Sequence, residues 1–177
     1  ERATVAREAF LQPADTSDTS HGFSDGRPLP ALCGTRFASD KDIVVDGHVM
    51  LVYHPQADQG YIPEDVLRET IAVYRPGAAD RFMTELRRAV RACGTYRLRS
   101  APEHGDDTIV IQHTYPGMDN GGPTGMLASR LFLIVRIGDV VMVLAQEGYE
   151  FAFADPPTFH ELGRRAVLRL TAWLKRH

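Results

Sequence analysis

Apolar positions recur along this chain with two periods. In VLRETIAVYRPG, residues 66 to 77, Ile71 and Val73 alternate with Thr70, Ala72 and Tyr74, which predicts a half-buried strand ended by Pro76-Gly77. In the following AADRFMTELRRAVRACG, Phe82, Met83, Leu86, Val90 and Cys93 return at helical spacing. This predicts a helix over about 77–93, with Gly94 placed for a left-handed C-terminal cap. A second amphipathic helix is predicted over about 157–175. Phe159, Leu162, Ala166, Val167, Leu170, Trp173 and Leu174 form its stripe, and Thr158 and Glu161 stand in capping-box spacing.

TYRLRS, DDTIVIQHTY, LFLIVRI and VVMVLAQ read as further strands. The last two flank Gly138-Asp139, suited to a type II′ hairpin turn. Asp46-Gly47, between the β-branched runs of DIVVDGHVMLVYHP, predicts another hairpin. TVAREAFL reads as a short helix stopped by Pro13. Residues 13–30, rich in Asp, Ser, Thr, Gly and Pro, read as an irregular surface loop, and 116–125 as a flexible loop between strands. Two-residue turns force antiparallel pairing. The expected fold is therefore α+β: a twisted antiparallel sheet with the two main helices packed on one face, in a single domain spanning 1–177.

With 177 residues, 44% of them hydrophobic, the chain can bury a core. A formal net charge of −3 gives no broad basic field, which argues against nucleic acid as a partner. The longest apolar stretch, 131–145, is interrupted by Arg136, Gly138 and Asp139, so no transmembrane segment is expected. The opening ERATVAREAF lacks a basic n-region and an apolar h-region. It reads as the edge of a processed form, with any leader or lipid anchor lying upstream.

Cys33 and Cys93 are the only cysteines. A nucleophile or a metal ligand needs company that neither has nearby: there is no CxxC and no HExxH, and HELGR at 160–164 has Arg where a second His would stand. No metal site or cofactor is expected. Two buried thiols are one remaining alternative. The favoured one is a disulfide, which would pin a long loop to a helix end and place the protein in an oxidising compartment.

Other chemical signatures are missing. There is no GxSxG elbow, and the Gly-rich DNGGPTG is followed by no Walker lysine. Asp106 and Asp107 are adjacent in a strand and would face opposite ways. The basic residues of the last helix read as its solvated face. What stands out is polar residues set on apolar strand faces. His113 and Tyr115 share the face of Ile109 and Ile111, and Arg136 shares that of Phe132 and Ile134, so these three are the candidate ligand-binding residues.

AFLQPADT, LPALCG, ETIAVYRPGAADRFMTELRRAVRACGTY, GDDTIVI and VRIGDVVMVLA together resemble the secreted or lipoprotein sensor-type domains of actinobacteria, the PknH-like extracellular domain group, over about residues 8–174. The resemblance implies an extracytoplasmic α+β domain, often lipid-anchored or joined to a membrane protein, with a cleft for an unidentified ligand. Kinase-linked members carry two disulfides, whereas this chain can form one. The expected function is thus an extracytoplasmic ligand-binding or sensor-like domain of a secreted protein or lipoprotein. Its expected partner is a small molecule or a cell-envelope component. The rivals are a small hydrolase or isomerase, with a pocket between curved sheet and helices and His113 or Asp107 carrying the proton, and a protein-interaction module using loop 13–30 or 116–125.

Overall fold

A computed structural model describes residues 5–16, 21–23, 32–53, 65–119, 122–147 and 156–177. Among the described residues, seven strands form one antiparallel sheet: β1 (His21–Phe23), β2 (Ile43–Tyr53), β3 (Asp65–Tyr74), β4 (Tyr96–Arg99), β5 (Asp107–Asp119), β6 (Gly122–Ile137) and β7 (Val140–Glu147). Their order across the sheet is β1-β2-β3-β7-β6-β5-β4. The helices are α1 (Pro13–Thr16), α2 (Ala78–Ala92) and α3 (Pro156–Leu174), and single 3-10 turns lie at Arg7–Ala9, Leu32–Gly34 and Ala38–Asp42. The α+β class and the antiparallel sheet are as the turn chemistry predicts.

The two main helices do not share a face. Alternate residues of the central strands enter two separate cores. Ile111, Phe132, Ile134 and Val143 pack with Phe82, Met83 and Leu86 of α2. Their neighbours Val110, Leu131, Leu133 and Leu144 pack with Phe159, Leu162, Ala166 and Leu170 of α3. Since successive strand side chains point to opposite sides, α2 and α3 cover opposite faces, and the molecule has three layers. The physical reason lies in the strands. LFLIVRI and VVMVLA are apolar without alternation, as strands buried on both sides must be. The same holds for β3, where Ala72 and Tyr74 join one core and Ile71 the other, so the strand is buried on both sides rather than half-buried.

The hairpin at Gly138-Asp139 is present. Ile137 pairs with Val140, and positive φ falls on Gly138 alone of the two central residues, as a type II′ turn requires. Asp46-Gly47 makes no turn: β2 runs straight through it, with Asp46 opposite Ala72 and Gly47 opposite Ile71. The glycine serves a close approach instead. A Cβ there would lie 2.8 Å from Cζ of Phe10, whose ring fills that space.

Several end signals are also corrected. Pro13 begins the α1 turn rather than stopping a helix, a position where its missing N–H costs nothing, and TVAREAFL supplies only the 3-10 turn Arg7–Ala9 among the described residues. Gly94 is not left-handed; α2 closes on Cys93, whose backbone N–H donates to the Val90 carbonyl. Helix α3 starts at Pro156, so Thr158 lies inside it, and Glu161 pairs with Arg164 and Arg165. The stretch 116–125 is mostly strand: Met118 pairs with Pro123 and Asp119 with Gly122, and only 120–121 fall outside the described residues. Of the 13–30 segment, 13–16 is helical and 21–23 forms edge strand β1; 17–20 and 24–30 lie outside the described residues.

Cys33 and Cys93 form a disulfide with Cα atoms 6.0 Å apart, inside the usual bridging range. It clamps the 32–37 segment onto the end of α2. On either side of Cys33, Leu32 and Phe37 are buried in the α2 core, and Phe37 meets Phe82 edge-on at 5.2 Å.

Candidate ligand site at the edge of the sheet

Strand β4 lies at one edge of the sheet and pairs with β5. Register then assembles a row of polar and aromatic side chains on the α2 face. Tyr96 stands opposite His113, and His113 stands opposite Arg130 of β6. Tyr115 follows two residues along β5, on the same side.

The rings touch. The His113 imidazole stacks on Tyr96 with centroids 4.0 Å apart and planes within 6° of parallel. Tyr115 lies 5.3 Å from His113 on its other side in the row. The Arg130 guanidinium carbon sits 4.8 Å from the Tyr115 ring centroid, within cation–π range. Tyr96 is buried, while His113, Tyr115 and Arg130 are half-buried. Burial, and then the Arg130 charge, hold the His113 pKa below its ordinary value, so the imidazole is neutral at neutral pH. Burial likewise raises the Tyr96 phenol and keeps it protonated. His113 Nδ1 is buried and has no hydrogen-bond partner among the described residues. A buried ring nitrogen in that condition is a polar group lacking what most such groups have.

His113 and Tyr115 are thus brought together, and Arg136 is not. Arg136 stands opposite Asp107, six residues along β6 from Arg130, or about 20 Å in an extended strand. There its guanidinium donates to the Gly138 carbonyl at 3.2 Å and to Asp106 at 3.5 Å, while Asp106 accepts the Gly138 N–H at 2.7 Å. Arg136 braces the β6–β7 turn. Asp107 is similarly engaged: Arg87 of α2 donates to both its oxygens, and that hydrogen bonding holds its carboxyl below the usual range. It is ionised and lies at the start of β5, six residues along the strand from His113, held by Arg87 rather than joined to the row of rings.

Tyr96 and Arg130 are the site members that sequence reading missed. Arg130 has the parity of Phe132 and Ile134, the criterion that selected Arg136, and only the β5–β6 register shows which arginine meets His113. His48, also buried, bonds Thr70 at 2.8 Å and is accounted for by that contact.

Compared with protein-family models, curated proteins and solved structures, the chain finds no match in any of the three. Among the described residues no helix is long and apolar enough to cross a membrane, and no three His, Cys, Asp or Glu side chains gather as a metal ion would require.

Proposed function

We propose that this chain is an extracytoplasmic ligand-binding domain without catalytic machinery, of the sensor-like kind its sequence resembles, and that Tyr96, His113, Tyr115 and Arg130 form its ligand site. The observation that carries the reading is the stacked, neutral His113 with its buried Nδ1, which has no partner among the described residues. Half-buried rings beside a guanidinium suit a flat organic molecule bearing an acidic group. The rings would take its face, and Arg130 with the phenol hydroxyl would take the acid. The disulfide supports the compartment, because such bridges persist where the surroundings are oxidising.

A thermal-shift screen of small aromatic and aliphatic acids tests this directly. Some planar acids are expected to stabilise the wild-type protein in a concentration-dependent way, because a ligand that binds only the folded state shifts its unfolding. The shift should vanish in His113→Ala and in Arg130→Ala, with both variants still folded. Equal shifts in wild type and variants, or none with any acid, would remove this site from consideration.

A further inference from the structure

The opposite face of the sheet holds a group that the ligand site does not use. Glu69 lies in the middle of β3, opposite Val49 on one side and Leu144 on the other, in the core that packs against α3. It is fully buried. Its Oε2 accepts the backbone N–H of Leu11 at 2.7 Å, and its Oε1 has no partner among the described residues.

Leu11 belongs to a strap, residues 5–16, laid across that face. Val5, Ala9, Phe10 and Leu11 bury their side chains in the same core. Beyond its apolar residues, the strap is held at its far end by α3: Arg165 donates to the Asp15 carbonyl at 2.7 Å, and Arg169 pairs with the Asp15 carboxylate. The charged groups that act on Glu69 are Asp15 of the strap, which favours its proton, and Arg169 of α3, which opposes it. Val49 of β2 and Leu144 of β7 bring no charge.

We propose that Glu69 is a proton-operated latch for the strap. While its carboxyl is neutral, the strap lies closed over it. Once ionised, it is a charge sealed among apolar side chains, and opening the strap is the smallest movement that admits water to it. The sheet is bonded along its whole length and α3 is a long helix, whereas the strap has only short helical turns of its own. It is therefore the part that gives way. This inference stands apart from the ligand site, which occupies the other face.

Amide exchange read by mass spectrometry between pH 5.5 and 7.5, with rates corrected for intrinsic pH dependence, tests it on the intact protein. In wild type, protection of peptides covering residues 5–12 should fall about tenfold per pH unit, because the open strap lets Glu69 release its proton. At every pH it should stay well below the protection of β6. In Glu69→Gln the strap profile should be flat. A flat wild-type strap profile, a Glu69→Gln profile as steep as wild type, or strap protection equal to that of β6 throughout would each overturn the latch. The wild-type measurement alone decides if the variant does not fold.

Discussion

Replacing Cys33 and Cys93 together by serine is expected to lower the stability of the domain by about 4 kcal/mol, the entropy of closing a loop of this length in the unfolded chain. The two cysteines are 60 residues apart in sequence. For a domain whose whole margin is about 5 to 15 kcal/mol, the midpoint of thermal unfolding should drop by roughly 10 °C. The effect should appear first in the 32–37 segment. That stretch is largely exposed apart from Leu32, Phe37 and Ser39 just beyond it, and the Ser39 hydroxyl and backbone N–H both reach Glu85 of α2. Parallel unfolding of oxidised wild type, reduced wild type and the double variant measures it. Reduced wild type and the variant should agree, and a loss under 1 kcal/mol would mean that the segment is held by packing alone.

The second large effect concerns pH. Burial lifts the Glu69 carboxyl from its ordinary 4.5 to about 8, against the smaller opposing pull of the Leu11 N–H. The folded protein therefore keeps a proton that the unfolded chain gives up. The stabilisation is complete below pH 4.5 and is lost as pH climbs towards 8, at about 1.4 kcal/mol per unit, up to roughly 5 kcal/mol in all. Glu69→Gln retains the shape of the neutral acid and cannot ionise. Urea unfolding at pH 4.5, 6 and 7.5 should find the variant close to wild type at the lowest pH and more stable at the highest. The difference between the two proteins isolates Glu69 from every other titrating group. If that difference does not change with pH, the carboxyl is solvated and the account of its burial is wrong.

Much of this architecture can be read from residue patterns, because the patterns record local physics. Both long helices announce themselves through apolar stripes, and Gly138-Asp139 through a turn that needs positive φ. Asp46-Gly47 carries the same turn chemistry but fails, because a tertiary contact competes with it. The Phe10 ring, from 37 residues upstream, needs the space that a glycine leaves, and nothing near position 47 reveals that. The placement of the helices was within reach. Strands such as LFLIVRI, apolar at both parities, require a cover on each side, which two helices on one face cannot provide. At the candidate site, the parity of β5 marks His113 and Tyr115, while Tyr96 and Arg130 enter only through pairings with other strands. Glu69 shows its own signal in VLRETIAVY: an acid of the same parity as Leu67 and Ile71, in the interior of a strand buried on both sides.

The reading of this chain as a domain that works outside the cytosol rests on the covalent bond between Cys33 and Cys93 in the protein as its natural host makes it. Intact mass settles that point when the protein is isolated from its natural source with a thiol-alkylating reagent present throughout. The account predicts no alkyl group without reductant and two after reduction. Two alkyl groups on the unreduced protein would contradict it.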